Sequence, residues 1–285
     1  MAVYERTYRP YAGGFTPERR RFLVLPRYAY GEVFRSKLFL IFFVLCFIPH
    51  LAGAVLIYLR HNASALKFLD LSAAQLLTID GSFFFNLMGI EATMCFLLSL
   101  FVGPALVAPD LRNGALPLYL SRPFTRREYV LGKLSVLAIL LSAITWVPLL
   151  LLFTLQASLE DGWLAANGRV GWAIFAGSWA WVLVLSLIAL AVSAWVKWKP
   201  VARIVLLVVF FVLAGFGAAI NEILDTTWGS LLNLGELIRA VWAGLFGIDV
   251  RVRLEPGPAW IALAAVCAVS LVLLARRIKA YEVVR

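Results

Sequence analysis

Six long apolar runs alternate with short polar segments along this chain. The runs cover residues 38–59, 82–108, 134–158, 170–196, 204–221 and 259–275. A helix of about 20 apolar residues crosses the hydrocarbon core of a bilayer, with a usual range of ~17–25. The pattern therefore predicts an all-α polytopic membrane protein with six transmembrane helices, numbered here as spans 1 to 6.

The overall composition supports the same class. Of the 285 residues, 62% are hydrophobic and 15% are charged, whereas soluble domains average about 45–50% apolar and about 25% charged residues. The net charge is +10, but the basic residues stand at the ends of apolar runs. Membrane orientation and anionic lipid head groups account for them there, so we expect a lipid membrane and no nucleic acid as a partner.

The distribution of basic residues predicts which side each loop occupies. Most of the 26 Lys and Arg residues fall in the N-terminal arm, in segment 109–133, in the turn after span 4 and in the C-terminal tail. Cytoplasmic loops are enriched in Lys and Arg, so we expect both termini to be cytoplasmic. The domain plan is then a cytoplasmic arm (1–37), a six-helix transmembrane domain (38–275) and a basic cytoplasmic tail (276–285).

The end of the N-terminal arm has the spacing of an amphipathic helix. Proline suits the first helical position, so we expect a helix that begins at Pro26 and lies in the membrane interface. Its apolar face contains Tyr30, Val33, Phe34 and Leu38, and its other faces carry Arg27, Glu32 and Arg35. A generic polybasic flank is the alternative interpretation.

The longest connection, 222–258, is acidic and also contains a helical pattern. Between residues 228 and 246, apolar positions recur at i, i+3, i+4 and i+7, but Glu236 and Arg239 interrupt them. We therefore expect an extracytoplasmic re-entrant or interfacial helix and no seventh span. A seventh span would also place the basic tail outside, against the charge pattern.

The sequence lacks the motifs of nucleotide hydrolysis and of common enzyme classes. Gly132-Lys133 does not have the upstream glycine of GxxxxGK[ST], and HExxH, GxSxG and CxxC are absent. The two histidines, His50 and His61, are too few for a metal cluster. We expect no catalytic residue, no metal site and no cofactor in this chain.

Glu91 is the single acidic residue inside an apolar run. Carboxylates within membranes are costly and usually face the bundle interior or a water-filled cavity, so a cavity-lining contact or a gate is one interpretation. The other is a position near the outer end of span 2, within reach of water. With no partner acid, histidine or lysine expected beside it, Glu91 gives poor support for a proton relay.

Segment 109–133 is the most specific part of the sequence. Thr125 and Glu128 have the spacing of a capping box, and Pro123 forces Arg122 out of helical geometry. A helix is therefore predicted to start at Thr125 and to run into span 3. The turn at Asn113-Gly114 leaves 115–120 as a short apolar element, which suggests a protein contact; a basic loop that dips into head groups is the alternative.

This segment resembles that of the membrane subunits of ABC-2 type (type V) ABC transporters. The family has an acidic residue four positions before a glycine, then a Ser-x-Pro-[Ile/Phe]-[Ser/Thr]-Arg run, and then a Tyr or Leu with Gly-Lys at the start of span 3. The matching residues here are Asp110, Gly114, Ser121, Pro123, Phe124, Thr125, Arg126, Tyr129, Gly132 and Lys133. Asp110 is a departure from the family pattern, because Glu is the commoner residue at this position.

The resemblance implies an exporter in which a separate subunit supplies the energy. Its expected partners are two copies of a cytoplasmic ATPase subunit that binds ATP and Mg, and a second permease subunit, identical or related, with room for a periplasmic partner. The location implied is the plasma membrane, here a bacterial inner membrane. The ATPase-coupling residues are then Asp110, Arg112, Gly114, Leu118, Tyr119, Ser121, Arg122, Pro123, Phe124, Thr125, Arg126, Glu128, Tyr129 and Lys133.

Two other functions remain open at this point. One is a membrane-embedded enzyme acting on lipid, with Glu91 and His50 as catalytic groups, which requires these side chains of different spans to converge. The other is a membrane anchor that recruits an ATPase complex without transporting anything. The substrate of an exporter is not readable from the residues, although lipid-like, glycan and drug-like amphiphiles all suit an apolar cavity.

Overall fold

The computed structural model describes residues 22–62, 78–120, 125–249 and 254–278. Six helices in these ranges are long and apolar enough to cross a membrane, and no described residue lies in a strand. They are Lys37–His61, Gly81–Arg112, Arg126–Leu159, Trp163–Trp195, Lys199–Leu224 and Pro256–Arg277. The predicted all-α fold with six spans is confirmed.

Spans 1 and 3 are each interrupted next to a proline. Span 1 consists of Lys37–Leu45 and Ile48–His61, with Pro49 in the first turn of the second helix. Span 3 consists of Arg126–Ile144 and Trp146–Leu159, and Thr145 between them has φ −117° and ψ −105°. A proline ring clashes with the carbonyl four residues earlier, so Pro148 produces the break at Ile144–Thr145. The kink that the sequence predicts at Pro148 is confirmed.

Span 4 is the central helix of the bundle. In its most apolar window 72% of the residues are buried, against 17–22% for spans 1, 5 and 6. It packs against spans 2, 3 and 6 and against the helix Leu234–Phe246. Spans 1, 5 and 6 therefore form the periphery and present long apolar faces outward.

Ser193 of span 4 holds the end of span 2 in place. The helix Gly81–Leu106 contains Pro104 and ends before a short helix, Ala108–Arg112. The Ser193 hydroxyl accepts hydrogen bonds from the backbone N–H groups of Val107 (3.1 Å) and Ala108 (2.9 Å), and all three residues are buried. This contact satisfies amides that the break leaves without helical partners and fixes the start of segment 109–133.

Contacts between spans define two ends of the bundle. At one end, which we call the basic end, the Arg112 guanidinium lies 5.3 Å from the Trp198 ring and Arg203 donates to the Leu100 carbonyl (3.2 Å). At the opposite end, Arg169 donates to the carbonyls of Leu245 (2.8 Å) and Gly244 (2.7 Å). Segment 109–133 and the helix Leu234–Phe246 therefore lie at different ends.

The N-terminal helix differs from the sequence prediction in its bounds. It runs from Val24 to Val33, not from Pro26, and a new helix begins at Lys37 after a Ser36 cap. Phe34 and Arg35 therefore lie in the connection between the helices, and Leu38 belongs to span 1 and is 72% exposed. The predicted single apolar face through Tyr30, Phe34 and Leu38 is wrong because three residues with their own cap separate the two helices.

The N-terminal helix nevertheless has one face packed on span 3. The Tyr30 hydroxyl donates to the Val136 carbonyl (3.0 Å), while Arg27 and Glu32 are exposed. Burial raises the pKa of Tyr30 to about 12. The helix is thus anchored to the start of span 3, beside segment 109–133.

The acidic connection contains a helix that enters the bundle. Leu234–Phe246 has an Asn233 cap at its start and Gly247 at φ +69° at its end. At about 1.5 Å per residue, its 13 residues are too short to cross a bilayer core of about 30 Å. Trp242 is buried and donates to the Gly177 carbonyl of span 4 (2.9 Å), so the helix packs against the central span.

Candidate functional site

The candidate site is a cluster within segment 109–133 that ties the end of span 2 to the start of span 3. Asp110 follows span 2 in the short helix Ala108–Arg112, and Tyr129 and Lys133 stand one turn apart on span 3. Lys133 Nζ lies 2.8 Å from Asp110 Oδ2, and the Tyr129 hydroxyl donates to the same oxygen at 2.7 Å. Tyr129 is fully buried and Lys133 is 8% exposed. The structure thus brings together three residues that the sequence analysis selected.

The chemistry of this cluster makes it a rigid connection. Hydrogen bonds in which one partner is ionised are about twice as strong as neutral ones, and one carboxylate oxygen here receives two donors. The Lys133 ammonium also lies 5.6 Å from the Tyr129 ring centroid, within the range of a cation–π interaction. Asp110 is therefore bonded to two residues in the first turns of span 3.

Tyr119 extends the cluster toward the short helix Ala115–Leu120. Its ring centroid lies 5.8 Å from that of Tyr129. Burial, and secondarily the charge of Asp110, raises the pKa of Tyr119. The turn before this helix is at Gly114, whose φ of +63° is unfavourable for side chains other than glycine. The turn that Asn113-Gly114 predicts is confirmed.

The start of span 3 presents exposed charge beside this cluster. The Thr125 amide donates to Glu128 Oε2 (2.6 Å), and the Glu128 amide donates to Thr125 Oγ1 (3.2 Å). This is the predicted capping box, and it is confirmed. Arg126 and Arg127 follow it and are exposed. The cap fixes the start of the helix, so both arginines stand in its first turn.

Part of the predicted coupling set lies outside the described residues. Ser121, Arg122, Pro123 and Phe124 fall in the gap at 121–124, and the Leu118 side chain is also outside the description. The coupling roles of these five residues stay predictions, as do those of the other residues in the set. Arg112, by contrast, is exposed at the basic end over Trp198.

Gly132 has a packing role that the sequence motif did not reveal. A Cβ at this position would lie 2.8 Å from the Phe22 carbonyl oxygen and 2.8 Å from Leu25 Cδ1. The N-terminal helix therefore approaches span 3 at a point where only hydrogen fits. This places the helix in contact with the same turn that carries Lys133.

Glu91 has a partner that the sequence analysis did not expect. His50 Nε2 of span 1 lies 2.6 Å from Glu91 Oε1 of span 2, although the two groups lack the alignment of a directed hydrogen bond. Their side chains are 6% and 2% exposed. The expectation that no histidine lies beside Glu91 is wrong, because Pro49 begins a new helix and the ring of His50 turns inward. The proposed reach to water is also wrong, since burial separates this carboxylate from solvent.

Glu91 does not line the cavity that lies beside it on span 2, so this cavity does not support the cavity-lining interpretation. That cavity, of about 750 Å³, is lined by its neighbours Ile90, Ala92 and Thr93 on span 2. Glu91 itself faces span 1. Among the described residues, no three His, Cys, Asp or Glu side chains are placed to hold a metal ion.

Comparison with known proteins identifies the family. Residues 30–281 match the ABC-2 family transporter protein, and the chain belongs to this family. No curated protein matches the sequence. The chain is therefore a multi-pass membrane subunit of an ABC transporter, and the family implies an ATPase subunit as its partner.

Proposed function

We propose that this chain is the permease of an ATP-driven exporter and that segment 109–133 receives the motion of a separate cytoplasmic ATPase. ATP and Mg bind to that partner, and this chain contributes no cofactor site. The complex contains two ATPase copies and a second permease subunit in a bacterial inner membrane, with the basic end on the cytoplasmic side. Its cargo is an amphiphile of the lipid, glycan or drug-like kind.

The observation that carries this proposal is the contact of Lys133 with Asp110. It joins the end of span 2, through Asp110, to a buried point on span 3, and the first turn of span 3 carries the exposed Arg126 and Arg127. Ser193 joins the end of span 2, directly before segment 109–133, to span 4. A partner docked on the exposed charges would therefore move spans 2, 3 and 4 together instead of deforming a loose loop.

A charge-reversal experiment tests the docking role. Arg126→Glu, alone and with Arg122→Glu, should release the ATPase that co-purifies with the tagged chain from its host membrane. Arg276→Glu is the matched control, because Arg276 is exposed near the end of span 6 and outside the segment. Recovery of equal amounts of ATPase with all variants would contradict the docking of the ATPase on segment 109–133.

One observation favours a second function, a membrane-embedded enzyme acting on lipid. That function needs His50 and Glu91 to converge, and they lie 2.6 Å apart. Their burial and the position of Glu91 away from the large cavity weigh against it, because a substrate has no open route to the pair. Intact activity in both His50→Ala and Glu91→Gln variants would eliminate this alternative.

A further inference from the structure

The large cavity lies within one subunit and away from segment 109–133. It has a volume of about 750 Å³ and opens between spans 2, 4 and 5 and the helix Leu234–Phe246. Pockets for small ligands usually occupy about 300–1,000 Å³. Its wall is rich in aromatic rings, namely Phe85, Phe96, Trp181, Phe210, Phe211 and Trp242. The cavity is therefore of a size and character that suit an organic ligand with an apolar body.

A π-helical turn builds one side of this wall. Span 5 is π-helical at Val208–Val212, and single π turns inside helices occur frequently at functional sites. Within it, the rings of Phe210 and Phe211 lie 4.3 and 5.8 Å from that of Phe96. Both successive aromatic rings of this turn therefore contact the same ring of span 2.

The polar part of the wall carries two opposite charges. Glu236 lines the cavity, and its Oε2 is buried without a hydrogen-bond partner among the described residues. Arg239, one turn further along the helix, lies 5.8 Å from the Phe85 ring centroid. It forms no ion pair with any described residue. Burying a carboxylate oxygen without a donor is unfavourable, so a ligand that brings a hydrogen-bond donor or a positive charge to Glu236 lowers the free energy of this carboxylate.

We propose that this cavity binds an amphiphile with a zwitterionic head, whose ammonium contacts Glu236 and whose phosphate or carboxylate contacts Arg239. Side chains three residues apart on a helix are neighbours at about 5–6 Å between Cβ atoms. That separation suits a head in which a few bonds join the two charges, and the apolar body then lies between Phe96, Phe210 and Phe211.

That this ligand is the exported cargo rests on the proposed transport function. The same head group occurs on bilayer lipids, so the ligand could be a structural lipid or the transported cargo. Binding to the isolated chain is expected for both, whereas stimulation of ATP turnover by the complex is expected only for a cargo.

The test measures the affinity of two lysolipids, each with one acyl chain, for the full-length protein in nanodiscs. Lysophosphatidylethanolamine carries both charges, whereas lysophosphatidylglycerol carries the phosphate without the ammonium. The wild type should bind the first about tenfold more tightly. Glu236→Gln should abolish that preference, and Arg239→Gln should weaken the binding of both probes. Glu222→Gln is the control, because Glu222 is exposed in the same half of the chain and does not line the cavity.

The outcomes separate the site from the transport function. Equal affinity of the wild type for both probes, or a preference that survives Glu236→Gln, would overturn the proposed site. Neither result would bear on ATPase docking, which the charge-reversal experiment tests separately. Selective binding together with probe-stimulated ATP turnover by the complex supports a cargo site. Selective binding without that stimulation keeps the site and overturns the claim that its ligand is the cargo.

Discussion

Lys133 and Asp110 meet at 2.8 Å where segment 109–133 joins span 3, and Tyr129 donates to the same carboxylate. The contact links residues 23 positions apart into one unit at the basic end. Because both charged side chains are largely withdrawn from water, each depends on the other. This relationship gives the exposed segment a fixed point on the transmembrane bundle.

Removing one member of this pair should destabilise the protein. Asp110→Asn leaves Lys133 without its counter-charge, and loss of one partner of a buried pair costs about 3–5 kcal/mol. We expect the lower end of this range, because Asp110 keeps some contact with solvent. The thermal unfolding midpoint in detergent measures the effect.

The control for this prediction is Asp225→Asn. Asp225 is exposed and has φ +47°, a conformation that Asn tolerates. The thermal unfolding midpoint of this variant should therefore equal that of the wild type. The double variant Asp110→Asn with Lys133→Met should lose less than the sum of the two single losses. Strict additivity would show that the pair does not interact.

Tyr30 should make stability fall at high pH. Its pKa is about 12 in the folded protein and ~10 in an unfolded chain, so the folded state retains a proton that the unfolded state releases. Stability is therefore complete below pH ~10 and decreases as pH rises toward 12. Tyr30→Phe should flatten this decrease in unfolding midpoints measured from pH 9 to 12.

Tyr28→Phe is the matched control for that titration. Tyr28 lies on the same helix and is 76% exposed, so its removal should leave the pH dependence intact. Identical curves for Tyr30→Phe and the wild type would contradict the contact of Tyr30 with span 3.

Gly132→Ala should separate the N-terminal helix from span 3. The new methyl group would meet the Phe22 carbonyl oxygen at 2.8 Å, and overpacking of this kind costs about 1–3 kcal/mol. Limited proteolysis should then cleave the N-terminal arm faster. Gly215→Ala on span 5, where a Cβ meets nothing within 4 Å, should leave the rate unchanged; equal rates in both variants would argue against this close approach.

The pair of His50 and Glu91 should behave as a structural link between spans 1 and 2. Either His50→Leu or Glu91→Leu alone leaves a buried polar group without its partner, with an expected loss of about 3 kcal/mol. Replacing both with leucine should recover most of that loss, since an apolar pair needs no partner. Thermal midpoints of the three variants provide the measurement, and a double variant as unstable as the worse single one would refute the link.

The hydrophobic pattern was sufficient for the spans because membrane insertion depends on length and apolar content. The kink at Pro148 and the capping box of Thr125 and Glu128 were also predictable, because both arise within a few residues. The bounds of the N-terminal helix were not, since the Ser36 cap competes with a continuous apolar face.

Contacts between distant segments were the main structural features that could not be predicted from the sequence. His50 and Glu91 stand on different spans, and no periodic pattern relates the rotation of one helix to that of the other. Asp110, Tyr129 and Lys133 could be selected by resemblance, but their shared oxygen is a tertiary feature. Glu236 and Arg239 interrupted an apolar face in the sequence, and this was the available signal for the cavity.

We infer that an ATPase on a separate subunit drives this chain. The most direct measurement is ATP hydrolysis by the purified chain alone, compared with hydrolysis by the complex that co-purifies from its native membrane, both in nanodiscs. We expect no turnover by the chain alone and turnover by the complex that Arg126→Glu reduces. Robust hydrolysis by the isolated chain would contradict the account.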